Sequence, residues 1–215
     1  VVIQIDLFKT GKIKNYKIKR AIIKSHARLT YKEVDKIFTN EKNEFYLLIK
    51  NLFRTYQVLR KKSLTRGKIN FNSDEFSIEF QENQNFIFKK RNNLHSYKVI
   101  EELMVLANNI VAEIFIKEKK NTIFRNHEKP SNKKIIELKK ILNDRKLRSL
   151  SFFSQSDFNN ALEISKKKGL DYINNILLKS QSKAFYEKKN KGHFGLALKN
   201  YTHFTSPIRR YSDLI

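Results

Sequence analysis

The last fifteen residues, Tyr201-Thr-His-Phe-Thr-Ser-Pro-Ile-Arg-Arg-Tyr-Ser-Asp-Leu-Ile215, gather side chains suited to handling a phosphate. Ser206-Pro207 reads as a helix start, with Ser206 as N-cap and Pro207 at the first helical position, where its missing N–H costs nothing. Arg209 and Arg210 then fall in the first turn, beside free backbone N–H groups. Cations at that end of the helix dipole are disfavoured by ~0.3–1 kcal/mol each. Their guanidinium forks match phosphate oxygens, so the segment is either an anion site or a solvated basic helix start. Glu101 is a second candidate, flanked three and four residues away by Tyr97, Lys98, Met104 and Val105. A carboxylate in that apolar setting needs an ion pair, with Lys98 or a basic strand, or a task in binding.

Residues 192–215 carry Gly-His-Phe-Gly-Leu-Ala-Leu, then Tyr-Thr-His-Phe-Thr-Ser-Pro-Ile-Arg-Arg-Tyr and Asp-Leu. This order and spacing resembles the closing signature of the RNase II/RNase R family, the processive 3′-to-5′ exoribonucleases. Upstream, Ser25-His-Ala-Arg-Leu-Thr-Tyr31, Arg66-Gly-Lys-Ile-Asn-Phe71, Ile100-Glu-Glu-Leu-Met-Val-Leu-Ala-Asn108 and Phe124-Arg-Asn-His-Glu128 follow the family in order. The resemblance covers nearly the whole chain and is closer to the RNase R branch. Ser212 departs from it, standing where the family usually has Pro.

Carried over residue by residue, the resemblance implies that Arg209 is the catalytic arginine at the scissile phosphate. It makes Tyr31 the tyrosine that holds the 3′-terminal nucleotide and helps set the length of the end product. Phe71, otherwise an ordinary strand-core residue, matches the aromatic that stacks on the last bases, a role that needs only a π-face. Glu101, with Glu102 beside it, matches the glutamate near the terminal nucleotides. Arg210 either contacts phosphate or supports the structure. His193 and His203 are assigned to hydrogen-bonded packing, because five histidines without a His/Glu pair at helical spacing do not make a metal site.

Hydrolysis in the family needs Mg²⁺ held by an aspartate cluster upstream of the matching region. Here Asp6, Asp35, Asp74, Asp144, Asp157, Asp171 and Asp213 are scattered, so no metal ligand is expected within the chain and the Mg²⁺ ligands are expected upstream of it. The resemblance thus implies that residues 1–215 are a partial RNB-type catalytic domain, missing the upstream metal-binding part and the downstream end. In the intact protein it implies hydrolysis of single-stranded RNA to nucleoside 5′-monophosphates, with the isolated chain inactive. The alternative is a non-catalytic RNA-binding module, or a decayed homologue without a metal site.

The composition agrees with a polyanionic partner. Lys and Arg number 45 against 21 Asp and Glu, a net charge of +24 over 215 residues, and each neutralised phosphate releases counterions. The chain is heavy in Lys, Asn, Ile and Phe, a codon bias that inflates this charge without creating it. The absence of cysteine excludes disulfides and Cys nucleophiles and fits a reducing, cytoplasmic location. No Walker loop, dinucleotide fingerprint or Ser-His-Asp pattern is present, so no small-molecule cofactor is expected. No membrane partner is expected either: the apolar stretch 103–116 is broken by Asn108, Asn109 and Glu113. The start, Val1-Val2-Ile3-Gln4-Ile5, is strand-like, without Met or a signal peptide, as in a fragment.

The elements that must position these residues follow from periodicity. Alternation predicts strands over 1–7 and 13–23, the latter with Tyr16, Ile18 and Ile22 on one face. Thr30-Tyr-Lys-Glu33 is a capping box opening a short helix with Val34, Ile37 and Phe38 inward. A longer helix follows, with Phe45, Leu48, Ile49, Leu52, Tyr56 and Leu59 as its apolar stripe. Its basic end, Arg60, Lys61, Lys62, Arg66 and Lys68, either complements the helix dipole or contacts nucleic acid. Further strands are expected at 69–71, 76–80 and 85–90, and an extended piece at 122–125. A helix over 94–118 is apolar nearly all round, hence buried, and later helices are expected at 133–142, 155–168 and 170–181. The change of period from two to 3.6 predicts an α+β fold, a mixed sheet packed against the long buried helix and further helices.

Overall fold

In the computed structural model, which describes residues 1–71, 76–80, 86–90, 94–143 and 145–214, the expected alternation of helix and strand is present. The first half runs β1 (Val2–Leu7), β2 (Ile13–Lys19), α1 (Tyr31–Phe38), α2 (Tyr46–Arg66), β3 (Phe76–Phe80), β4 (Phe86–Lys90) and α3 (His95–Lys117). There follow β5 (Phe124–Asn126), α4 (Asn132–Ile141), α5 (Arg145–Arg148), α6 (Gln155–Lys167), α7 (Tyr172–Ser180) and β6 (Phe185–Glu187). A 3-10 turn at Tyr211–Asp213 comes last. Asn85, the expected start of β4, and Asp74 and Asp144 lie outside the described residues.

The chain divides into two compact units. One comprises Val1–Lys68, Leu94–His127 and Ala184–Ile215; the other comprises Ile69–Asn93 and Glu128–Lys183. In the first, α1, α2 and α3 enclose a core of Ile37, Ile49, Phe53, Tyr56 and Val99, with Phe38 stacked on Phe53 at 4.1 Å between ring centres. The capping box forms as expected: Thr30 Oγ1 accepts the Glu33 N–H at 3.3 Å and Glu33 accepts the Thr30 N–H at 2.6 Å. At the end of α2, Gly67 takes φ 100°, a left-handed position that glycine alone adopts without strain. In the second unit Leu138, Leu142, Leu147, Phe152, Phe158, Ile173 and Leu177 are fully buried. Serine caps start α4 and α6 there, Ser131 accepting from Lys134 N–H and Ser154 from Asp157 N–H.

The fold is α+β as expected, but among the described residues the strands are distributed over three two-stranded antiparallel sheets rather than one mixed sheet. Each short strand finds its partner locally, β1 with β2 and β3 with β4, while β5 and β6 meet across the second unit's sequence. Single bridges widen the third sheet, and one of them, His127 to His193, is parallel. The second strand stops at Lys19, the partner of Val2, so Ile22 lies beyond it, and Ile18 and Ile22 are both exposed rather than part of an apolar face. No strand forms at 69–71. Asn70 instead donates its N–H to Asn159 Oδ1 at 3.1 Å, and Ile69 is buried without a ladder.

Helix α3 is also less enclosed than expected. Val99, Glu102, Val105, Asn108, Ile110, Val111 and Ala112 are buried, whereas Tyr97, Ile100, Glu101 and Ile116 are exposed. The buried carboxylate is therefore Glu102, not Glu101. Among the described residues no helix is long and apolar enough to cross a membrane.

Candidate functional site

The signature segment is built onto the third sheet. Arg125 N–H donates to the Tyr201 carbonyl at 2.9 Å, and Thr202 Oγ1 donates to the Ile123 carbonyl at 2.6 Å. His127 N–H donates to Gly192 O at 2.9 Å, and Phe194 N–H returns to His127 O at 2.7 Å. The Gly195 N–H then donates to His127 Nδ1 at 3.0 Å, and the Leu196 N–H to His193 Nδ1 at 3.2 Å. A Cβ at position 195 would sit 3.0 Å from His127 Nδ1, so any other residue would make the imidazole give by a few tenths of an ångström.

A run of rings carries the fold from there. His127 and His193 lie 4.9 Å apart, His193 and Tyr201 5.2 Å, and Tyr201 and His203 5.7 Å. Tyr186 bonds His203 Nδ1 at 2.6 Å, and the Arg125 guanidinium lies 4.6 Å from the Tyr186 ring centre. Burial, helped by the charge of His127 and Arg125, pushes His193 down to about 3. Burial and then Arg210 push His203 down to about 4. Both imidazoles are neutral near pH 7 and act as packed hydrogen-bonding groups.

Beyond Tyr201 the chain is held from α3. Asn108, 2% exposed, bonds both the Tyr201 hydroxyl and the Phe204 N–H. The chain then turns once rather than entering a helix. Ser206 O accepts from Arg209 N–H at 3.2 Å and from Arg210 N–H at 3.1 Å. Asp213, a buried carboxylate, takes the Ser206 N–H at 2.9 Å and closes the loop. It also accepts from Arg210 Nη2 at 2.7 Å, Arg210 Nε at 3.0 Å and Ser212 Oγ at 3.0 Å. Burial pushes the Asp213 carboxyl up, but the bonds from Arg210, Ser206 and Ser212 outweigh it and hold the group below the usual carboxylate range. Arg210 is thus paired within the loop, while Arg209 is exposed.

Glu101 and Glu102 share one cation. Lys68 Nζ lies 2.7 Å from Glu101 Oε1 and 2.8 Å from Glu102 Oε1, and the two carboxylate side chains are 55% and 6% exposed. Burial would lower the Lys68 pKa, but the two carboxylates outweigh it and raise the value. Much of the remaining basic run after α2 begins is spent on packing. Arg60 bonds the Tyr56 hydroxyl, Lys62 the Gly11 carbonyl and Arg66 the Leu196 carbonyl. Lys62, Arg66, Glu102, Asn109 and Leu198 also line a small cavity of about 50 Å³.

Tyr31 opens α1, and its ring lies 4.1 Å from that of Tyr97 at 33°. Its carbonyl accepts from Ser96 Oγ at 2.9 Å, while Asp35 of α1 caps α3 by accepting the His95 and Ser96 N–H groups, each at 2.9 Å. Phe71 is half-buried in the other unit, on an irregular segment. The structure therefore brings Glu101 and Tyr31 onto the same bundle of helices and hangs the arginine loop from α3. Sequence reasoning missed Lys68, Asn108, Asp213, Asp35 and Tyr97. Asn108 left a signal as a polar break in an apolar run, and Lys68 one as a member of the basic run at the end of α2.

The pattern of the family described as RNB domain matches residues 1–215. Ribonuclease R of Escherichia coli (strain K12) is 35% identical over 226 aligned residues, covering 100% of this chain and 28% of that protein. Ribonuclease R of Thermotoga maritima is 33% identical, covering 99% and 31%. The solved structure of Mycoplasma genitalium RNase R in complex with ribose methylated single-stranded RNA has a TM-score of 0.88 at 29% identity, covering 98% of this chain and 34% of that chain. The structure of the same protein with double-stranded RNA gives the same TM-score and identity. Yeast Ssd1, a pseudonuclease, shares the fold at TM-score 0.67 and 19% identity. The chain thus spans about a third or less of the first two relatives' length.

Proposed function

Since this chain belongs to the RNB domain family, we propose that it is the RNA-holding part of a 3′-to-5′ exoribonuclease, a partial RNB-type catalytic domain. The substrate is single-stranded RNA, the products are nucleoside 5′-monophosphates, and a cysteine-free chain suits a cytoplasmic setting. The observation that carries this reading is the division of labour between adjacent arginines. Arg210 is paired with buried Asp213, which fixes the loop, and Arg209 is left exposed on it.

In this reading Arg209 stabilises negative charge developing on the phosphoryl oxygens, which its fork can do without ever deprotonating. Tyr31 and Glu101 hold the terminal nucleotides, and Phe71 stacks on a base. Among the described residues no group of three or more His, Cys, Asp or Glu could hold a metal ion. The described residues therefore do not fit the family's Mg²⁺, whose ligands lie upstream in this reading.

The test uses the full-length protein and a labelled single-stranded RNA. Arg209→Ala should cut the turnover rate by orders of magnitude while changing RNA affinity little, as for a contact made mainly in the transition state. An unimpaired rate would remove Arg209 from the chemistry. Binding without any hydrolysis by the wild type would leave a non-catalytic RNA-binding protein.

A further inference from the structure

We infer that Tyr97 pairs with Tyr31 to make a stacking platform for a nucleobase, so that Tyr97 is a further RNA-contacting residue. This rests on the reading of the chain as part of an RNA-degrading enzyme.

Tyr31 is 40% exposed and Tyr97 38%, although their ring centres are only 4.1 Å apart. Two rings stacked on each other that each keep over a third of their surface in water leave an outer π-face on which a base can continue the stack. Every nucleobase has a face to set against it, whatever the sequence. Position matters as much as exposure. Tyr97 lies one turn before Glu101 on α3, and Tyr97, Ile100 and Glu101 are all exposed. A base seated on the rings therefore has a carboxylate acceptor one helical turn away, itself anchored by Lys68.

The platform is also rigid before anything binds. Tyr31 is fixed by the capping box at Thr30 and Glu33 and by the Ser96 hydroxyl on its carbonyl. Tyr97 sits in the first turn of α3, which Asp35 caps through two backbone N–H groups. Preorganised rings lose little conformational entropy on binding, which favours them over flexible side chains as base contacts. Exposed Arg28 and Lys32 flank Tyr31 in sequence, and they suit a ligand carrying phosphates.

The experiment takes the full-length protein in EDTA, so that no hydrolysis intrudes, with a single-stranded RNA carrying 2-aminopurine at its 3′ end. Binding to the wild type should quench the probe. Tyr97→Ala should weaken affinity by roughly five- to a hundredfold and abolish the quench. Tyr97→Phe should keep both, since only the π-face is needed. Tyr97→Leu, which keeps apolar packing, should behave like alanine. A second measurement needs no variant: ultraviolet crosslinking of a 3′-terminal 4-thiouridine RNA should label the peptide containing Tyr97. Wild-type affinity and quench in Tyr97→Ala, or a crosslink that avoids this peptide, would overturn the inference alone. Failure of the wild type to bind RNA would overturn the functional reading as well.

Discussion

Asn108 donates its Nδ2–H to the Tyr201 hydroxyl at 3.1 Å while its Oδ1 accepts the Phe204 N–H at 3.0 Å. One buried side chain on α3 thus holds two points of the segment that runs on to Arg209, five residues past Phe204. The same helix carries Glu101 and Glu102, so a single rigid element references the carboxylates and the arginine loop to each other.

Asn108→Leu keeps the branched shape but strands a hydroxyl and an N–H. Each buried unsatisfied group costs about 1–3 kcal/mol, so a loss of roughly 2–6 kcal/mol is expected in urea unfolding. Turnover should fall more than RNA affinity does. A variant within about 0.5 kcal/mol of wild type would mean that water replaces the clamp.

Lys68→Met should be the most damaging change on the bundle. It leaves buried Glu102 without its cation, a situation that costs about 3–5 kcal/mol. Glu101→Gln, at a largely exposed position, should change stability by less than about 1 kcal/mol. Comparable losses from the two would contradict the assignment of Glu102 as the partner that Lys68 stabilises.

The neutral histidines predict an acid-side slope. With folded values of about 3 for His193 and about 4 for His203, against an unfolded value of 6.5, the unfolded chain takes up protons first as the pH falls. Their contribution to stability is complete above about pH 6.5 and is lost progressively toward pH 4 and below. Urea midpoints across that window should fall, and His203→Gln should flatten part of the slope. An unchanged slope in the variant would show that His203 takes up its proton at the same pH in the folded and the unfolded chain.

Binding should be steeply salt-dependent if the +24 charge meets RNA phosphates. Phe71→Ala should weaken binding to short oligonucleotides by ~1–3 kcal/mol with little change in that salt dependence. Affinity equal at low and high salt would assign the charge to composition alone.

Local features were legible in advance because their causes are local. The capping box at Thr30 and Glu33 forms as read, β3 is found at Phe76–Phe80, and α3 runs His95–Lys117 within one residue of expectation at either end. The choice between Glu101 and Glu102 was not legible. Both have apolar residues three and four positions away, and only the rotation of α3 against α2 decides which one is buried. Lys68, Asp35 and Asn108 act across 33 to 96 residues of sequence, and no periodicity encodes such pairings. The single turn found in place of a helix after Pro207 is likewise tied by a non-local bond, from the Ser206 N–H to the Asp213 carboxylate seven residues on. The family was readable from the order of the signature, whereas the loop's internal scaffold was not.

His127 meets the backbone of the signature three times, through its N–H, its carbonyl and its ring nitrogen. Since Gly195 and Leu196 both donate to Nδ1 atoms, the protons of the His127 and His193 rings must reside on Nε2. The imidazoles stand in for carbonyls of a strand that is not there, and the loop is in effect a sheet edge completed by side chains. Position 195 and the ring at 127 are consequently coupled: a methyl group on the first would press on the Nδ1 edge of the second and lengthen the bond that closes the loop.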